Sequence, residues 1–385
     1  MKIVFVSNYY NHHQKPFSEA LYNLTEGGFR FVQTRPMSEE RKAMGWGEDL
    51  PEFVLSSYGS EEDFRKCESL IEEADVVIAG GCELEKIIRK RVRRKKLVLR
   101  YAERRYKHRS LLWQLPLWFL KYSIDNFPNR KVYYLCASAY ASMDFAITGM
   151  RRFECYKFGY FPEVKHYDDF PSLAGKKKEA SILWVARLIE LKHPDAAILV
   201  AERLHKEGYD FHIDIIGSGP LEGELKRMIR ERGLEGCVSL LGSMKPEEVR
   251  THMEESSIFL FTSDFNEGWG AVLNESMNSA CAVVASHAIG SVPYLIDDGV
   301  NGLIYKNGDI DDLYAKTKWL LDNPEKAKEM GKNAYATLCE TWNADVAARR
   351  VIKMSEALLR GEKVDGMFPD GPCSKANRLK NNWKK

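Results

Sequence analysis

The segment Asp264-Phe-Asn-Glu-Gly-Trp-Gly-Ala-Val-Leu-Asn-Glu-Ser276 sets two carboxylates, Glu267 and Glu275, eight positions apart around a glycine turn, directly after the apolar run Ile258–Phe261. With Ala271 to Ser279 read as a helix, Gly268 and Gly270 let the backbone pass close to a ligand without a Cβ in the way. The first N–H groups of that helix, at Ala271 and Val272, then suit a phosphate or a sugar hydroxyl. Glu275, about one turn in, can accept from a vicinal diol such as a ribose, and Glu267 from a hydroxyl of a sugar. Taken alone, the segment reads nearly as well as a capped helix with two solvated glutamates. Its neighbours tip the balance. Trp184 to Pro194 carries Arg187 and Lys192 just beyond a strand, where two cations can hold a diphosphate. Ile215-Ile-Gly-Ser-Gly-Pro220 places Gly217 and Gly219 after another strand, although it lacks the third glycine and the acidic residue of a dinucleotide fingerprint. Ser286 to Ile304 adds a further glycine turn one strand later.

The elements that position these residues alternate between strand and helix, which predicts an α/β protein with parallel sheets covered by helices. At 385 residues the chain is too long for one ordinary core. Residues 1–165 read as an N-terminal domain and residues 179–343 as a C-terminal one, joined by a linker over 166–178 with Pro171, Gly175 and three lysines. Residues 344–360 form a last helix. Residues 361–385, rich in Gly, Pro, Asn and Lys, read as a disordered tail.

Arg187 and Lys192, Gly217-Ser-Gly-Pro220, Glu267 to Glu275, Gly290-Ser-Val-Pro293 and Asp298-Gly-Val-Asn-Gly302 occur in the order and spacing of a known family. Over about Ala180 to Glu340 the chain resembles the retaining GT-B glycosyltransferases of the glycogen synthase-like group, glycosyltransferase family 4. The resemblance implies two Rossmann-like domains with parallel sheets facing each other across a cleft, the last helix crossing back to the first domain. It also implies transfer of a sugar from a nucleotide-sugar, UDP-linked in the commonest case, to a hydroxyl of a glycan, lipid-linked or other acceptor, with retention. By the same resemblance Glu275 binds the nucleotide ribose and Glu267 contacts the donor sugar near the reacting carbon. Arg187 and Lys192 bind the diphosphate, and the backbone of Gly268, Trp269 and Gly270 approaches the sugar and phosphate. No cofactor and no metal are expected, since Asp309-Ile-Asp311 reads as a helix cap rather than a metal-binding pair.

The N-terminal half departs from the family pattern. The loop after its first strand, Asn8 to Pro16, has no glycine and offers His12, His13 and Gln14 as ligands for acceptor or donor phosphate. Glu103, in Val98 to Arg104, stands where many relatives carry a histidine, as an acid/base or sugar ligand or as the ion-pair partner of Arg100 or Arg104. Gly81 and Cys82, in a strand-to-helix turn, are acceptor-site candidates or a plain helix start. Residues 86–109 hold thirteen Lys and Arg against Glu103 alone, and the aromatic, leucine-rich run Leu111–Leu120 follows. Residues 86–120 therefore suit an anionic membrane surface, the alternative being a solvated basic helix followed by a core helix. No nucleic-acid motif accompanies the charge.

Composition narrows the setting. A net charge of +2 with 44% hydrophobic and 29% charged residues describes a globular chain. Eight scattered cysteines without a CxxC pair argue against a disulfide framework or zinc, and point to a reducing, cytoplasmic setting. No apolar run is long enough for a bilayer span, so contact with the inner face of a membrane would be peripheral. Two rivals stand beside the transferase: a nucleotide-sugar epimerase of GT-B architecture, and a non-catalytic nucleotide-sugar-binding protein at a membrane surface.

Overall fold

The computed structural model describes residues 1–38, 50–81, 83–105, 113–127 and 131–384. It divides into two compact units, Met1–Glu163 with Trp342–Lys380, and Val164–Thr341 with Asn381–Lys385.

The first unit is built on strands β1 (Ile3–Ser7), β2 (Phe29–Gln33), β3 (Val54–Ser56), β4 (Val76–Ala79), β5 (Leu97–Ala102), β6 (Val132–Cys136) and β7 (Glu154–Lys157). They form one sheet in the order β3-β2-β1-β4-β5-β6-β7, all neighbours parallel. The second unit holds β8 (Lys178–Val185), β9 (His212–Ile216), β10 (Val238–Gly242), β11 (Ser256–Phe261), β12 (Ala282–Ser286) and β13 (Leu303–Tyr305), also wholly parallel, in the order β10-β9-β8-β11-β12-β13. Central strands of such sheets are covered on both faces and so are apolar throughout rather than alternating. All five residues of β1 and of β12 are buried. The two parallel sheets are those the alternating pattern predicts.

In each sheet the strand order reverses once, between β1 and β4 and between β8 and β11. Chains leaving adjacent strands there turn to opposite faces, which opens a crevice at the carboxyl ends of the strands. Arg187 and Lys192 follow β8, and Glu267 follows β11. His12 to Gln14 follow β1.

The boundary of the second unit is fixed by side chains rather than by a flexible linker. Within the segment read as a linker lies a helix, Phe170–Gly175. Lys177 Nζ donates to the carbonyls of Met253, Ser256 and Ser279 at 2.9, 2.8 and 2.6 Å. Glu254, 7% exposed, binds Lys165 and Lys176 at 2.6 and 2.8 Å and accepts from Tyr167 at 2.6 Å. Burial alone would raise its carboxyl, but these three partners outweigh it and hold the group at about 2.

The helix Ala344–Arg360, started by the Asn343 side chain accepting from Val346 N, packs on the helix Lys15–Leu24 of the first unit. The tail that follows is not disordered. In the first unit Lys157 N donates to Ser374 O at 2.7 Å and Ala376 N to Cys155 O at 2.9 Å, which covers the outer edge of β7. Cys373, Ser374 and Ala376 are buried. In the second unit Asn381 O lies 3.0 Å from His287 Nε2, Trp383 packs on the His287 ring, and Lys384 reaches Asp298 at 2.7 Å. The composition of the tail cannot build a core of its own, but an open strand edge supplies backbone partners from more than 200 positions away.

Candidate active site

On the carboxyl side of β8 and β11 the second unit assembles a backbone framework before any charged group is placed. Gly217 (φ 147°) and Gly219 (φ 159°) lie across the loop after β8; a Cβ at Gly217 would stand 1.8 Å from Ala186 O, and one at Gly219 2.4 Å from Leu188 O. Leu188 N donates to Ser218 O at 2.9 Å, so this loop, which carries Arg187, is clamped to the one after β9. Thr262 clamps its far end. Its Oγ1 accepts from Trp184 Nε1 at 2.8 Å and lies 2.6 and 2.9 Å from the carbonyls of Lys192 and His193. His193 is held at φ 48°, a left-handed conformation that a non-glycine residue keeps only when its surroundings enforce it.

The glycine turn after β11 is equally fixed. Gly270 has φ 81°, and a Cβ there would meet the Phe261 ring at 2.3 Å. Asp264 N donates to Leu191 O at 3.0 Å, Asp264 Oδ1 accepts from Asn266 N at 2.7 Å, and Glu267 N donates to Asp264 O at 3.1 Å. Gly268 is buried. Trp269 points its side chain into the core, 1% exposed, with Nε1 donating to Asn274 Oδ1 at 2.9 Å. Its carbonyl accepts from Ser291 Oγ at 2.6 Å. The indole thus anchors the turn, and only its backbone is available to a ligand. Ala271 caps a helix of seven residues, Val272–Asn278, whose bonding starts with Leu273 N to Gly270 O at 3.0 Å.

The charged groups then fall on both sides of the sheet reversal. Lys192 Nζ and Glu267 Oε2 form a direct ion pair with side chains 14% and 13% exposed. The two residues read from sequence as separate ligands, one for phosphate and one for sugar, are therefore in contact. Arg187 is exposed, with no ion pair among the described residues. The half-buried Glu275 carboxylate has no hydrogen-bond or ion-pair partner among the described residues. Burial raises its pKa above the ordinary carboxylate value, and the charge of Arg250 pulls the other way. An acceptor of this kind, desolvated and uncommitted, suits a ligand that brings its own donors, such as the two hydroxyls of a diol.

The first unit offers side chains instead of glycines. Glu103, exposed at the end of β5, accepts a hydrogen bond from Tyr160. It joins neither Arg100, which pairs with Glu85 at 2.8 Å, nor Arg104, which faces Asp144 at 3.9 Å. His13 stacks on the Tyr160 ring at 5.4 Å and lies tilted against the His12 ring at 3.9 Å. Burial, then the neighbouring charge of His12, push its imidazole down to about 3. In the ligand-free protein the ring is therefore neutral. Gln14 Nε2 donates to Ser7 Oγ at 3.1 Å, while its carbonyl oxygen is buried without a hydrogen-bond partner. A Cβ on Gly81 would meet open space, so no close approach requires glycine there. Gly80 is the constrained one, 3.2 Å from Val6 O. Cys82 lies outside the described residues.

The basic run stays largely exposed, but several of its cations are paired or buried. Lys90 pairs with Glu68 at 2.6 Å, Arg94 with Glu72 at 2.9 Å and Arg89 with Asp125 at 2.6 Å. Arg91 is buried, donating to the carbonyls of Ile71, Ala74, Asp75 and Leu97. Most of these acceptors come from the helix Glu61–Glu73 and the turn after it, outside the basic window. Lys107 and Arg109 fall outside the described residues. Sequence reasoning missed Tyr160, which sits in a stretch without periodicity, and Thr262 and Asp264, although both directly follow the apolar strand β11.

Residues 167–337 match the family model described as glycosyl transferases group 1. The chain is 34% identical over 182 residues to the amylovoran biosynthesis glycosyltransferase AmsK of Erwinia amylovora, covering 46% of this chain and 44% of that protein. It is 30% identical over 176 residues to the N-acetylgalactosamine-N,N'-diacetylbacillosaminyl-diphospho-undecaprenol 4-alpha-N-acetylgalactosaminyltransferase of Campylobacter jejuni, covering 46% of each. The match thus spans less than half the length of these curated relatives. Among solved structures it is similar to Anabaena Alr3699/HepE in complex with UDP, with a TM-score of 0.68 at 16% identity, covering 93% of this chain and 100% of that one. A glycosyltransferase from Rickettsia africae gives a TM-score of 0.67 at 13% identity, covering 94% and 99%.

Proposed function

We propose, for a chain of GT-B fold whose residues 167–337 belong to the group 1 glycosyl transferases, that it moves a glycosyl group from a nucleoside diphosphate sugar to an acceptor hydroxyl with retention of configuration. The observation that carries this reading is the meeting of Lys192 and Glu267 at the reversal point of the second sheet, with Arg187 on the same loop and an uncommitted Glu275 beyond the glycine turn. The diphosphate lies against Arg187 and Lys192. Glu275 accepts from the ribose diol, and Glu267 accepts from a hydroxyl of the donor sugar.

In the reaction the bond from the anomeric carbon to the phosphate oxygen breaks, and the bond to the acceptor oxygen forms on the same face. The acceptor proton passes to the departing phosphate oxygen, and a nucleoside diphosphate is released. Negative charge grows on that oxygen and positive charge on the sugar ring. The cations at the phosphates and the Glu267 carboxylate near the ring oppose both. In this reading Arg187 and Lys192 make a divalent metal unnecessary.

The first unit offers ligands for an acceptor, with Glu103 accepting from a sugar hydroxyl and His12, His13 and Gln14 on the loop after β1. UDP is the base to try first, since HepE was solved in complex with UDP-glucose. A lipid-linked acceptor is supported by the relative named for action on a diphospho-undecaprenol glycan.

A thermal-shift panel of nucleoside diphosphates and their sugars tests the binding half, because a specific ligand raises stability with the logarithm of its excess over Kd. The best donor is then incubated with and without lipid-linked acceptors, in the presence of EDTA. Nucleoside diphosphate release that depends on acceptor and survives EDTA is the expected result. Interconversion of the sugar with donor alone, or no stabilisation by any nucleotide, overturns the reading.

A further inference from the structure

We propose that Asn381 to Lys384, at the end of the tail, are a positioning element for the turn that carries Glu267 and act on it through His287, an assignment that rests on the reading of Glu267 as a donor-sugar ligand. Glu267 is the fourth residue of a tight turn that begins at Asp264 and is closed by Glu267 N donating to Asp264 O at 3.1 Å. Where such a turn is held decides where its last side chain points. On the β8 side, Asp264 N donates to Leu191 O at 3.0 Å and Asp264 Oδ2 lies 3.4 Å from His193 Nε2. On the β12 side, the ring of Phe265, the second residue of the turn, stands edge-on to the His287 ring with centroids 5.4 Å apart. His287 directly follows β12 and is 4% exposed.

A ring supports its neighbour only if it is held itself, and both nitrogens of His287 meet main chain. Nδ1 accepts from Asn307 N at 2.9 Å. That leaves the proton of the neutral ring on Nε2, 3.0 Å from Asn381 O. Burial lowers the pKa of this imidazole, which favours the same neutral form. The end of the tail thus supplies the one acceptor that this tautomer requires. Trp383 packs on the same ring, centroids 5.9 Å apart, so His287 is in contact with Phe265 and with the indole. Lys384 pairs with Asp298 at 2.7 Å, and Asp298 Oδ1 accepts from Ile304 N at 2.7 Å, which fastens the chain end to the turn leading into β13.

A carbonyl, an indole and an ammonium within this short segment therefore converge on one histidine and the turn beside it. Chain ends without such ties fray. Releasing this one removes the acceptor of His287 Nε2 and the cover of its ring, and so loosens the Phe265 side of the turn. Arg187 and Glu275 lie on other segments and keep their supports. The expected cost falls on Glu267, and so on transfer, more than on the binding of the nucleoside diphosphate.

The test keeps the full chain and compares Trp383→Ala with Lys384→Ala against wild type, with Trp383→Ala alone as the milder variant. Amide exchange is followed without ligand in the peptide over 262–270. Exchange at Asn266 and Glu267 should speed up by about threefold to tenfold, the range for one lost aromatic contact, while peptides of β1 exchange as in wild type. With the best donor, kcat should fall by the same factor, the Kd of the nucleoside diphosphate should stay unchanged, and Trp383→Phe should restore both exchange and rate. Adding the substitutions to Phe265→Ala should slow transfer no further than Phe265→Ala does alone. Wild-type exchange over 262–270 in the double variant overturns the proposal, and so do losses that add to that of Phe265→Ala. Exchange needs no substrate: a wild-type chain that transfers no sugar defeats the donor-site reading, while exchange alone still decides whether the chain end holds the turn.

Discussion

The two units present the same kind of sheet reversal and equip it in opposite ways. At β8/β11 the positions are set by backbone, with Gly217, Gly219 and Gly270 where a Cβ would collide and with Thr262 holding two carbonyls. In the first unit side chains set more of them, with Tyr160 stacked on His13 and bonded to Glu103, while Gly80 after β4 is close-packed and Gly81 is open. A backbone framework holds its shape whichever ligand it meets, as suits a diphosphate common to many donors. A side-chain framework changes with a single substitution, as suits an acceptor that differs between proteins.

The strongest way to break this contrast is at the charged pair. Lys192→Met and Glu267→Gln should each lower the transfer rate by ~10²–10³-fold, the range for losing one preorganised electrostatic contact. Single-turnover rates with saturating donor measure it, and a loss of less than threefold in either variant would place the chemistry elsewhere.

Next in size is the backbone. Gly217→Ala, which sets a Cβ 1.8 Å from Ala186 O, should destabilise the chain by about 3 kcal/mol or more, whereas Gly81→Ala should change stability by less than about 0.5 kcal/mol. Urea melts of the two variants compare the units directly. Equal effects would erase the distinction drawn above.

In the first unit, Tyr160→Phe and Glu103→Gln should each lower kcat by about tenfold, the size of one lost hydrogen bond to a charged group, and the double variant should be little worse than either. Additive losses would show that Tyr160 does not act through Glu103.

The smallest effect sharpens the picture of Glu275. Its pKa is raised by burial above the unfolded value, so the stability tied to this group is fully present below the unfolded pKa and is lost as pH rises through the folded one. Glu275→Gln should therefore leave the protein as stable or slightly more stable at pH 7, and flatten that pH dependence. Nucleotide affinity should fall about tenfold with the lost charged hydrogen bond. A variant that loses stability instead would mark Glu275 as structural.

Legibility followed the same division. The glycine turn from Glu267 to Glu275, with Arg187 and Lys192, was readable because each feature is local: a strand end, a turn and a helix start within a dozen residues. The basic run 86–109 was readable as surface charge but not as paired charge, since Glu68, Glu72 and Asp125 come from elements that a window along the chain does not contain. The tail failed for a related reason, its partners on β7 and at His287 being visible only after folding. Trp269 was read for its backbone alone; that its indole anchors the turn in the core was not legible, because a helix start does not say which way a preceding indole turns.

From the sequence alone came the two α/β units, the residues around the second reversal and the family they resemble, because periodicity and turn chemistry act over a few residues. Only the tertiary structure decided that Lys192 meets Glu267, that Glu103 meets Tyr160 and not an arginine, that His13 is neutral, and that the aromatic helix keeps one face in solvent. Charge pairing and desolvation depend on distance in space, and two strands adjacent in a sheet can bring together residues 75 positions apart.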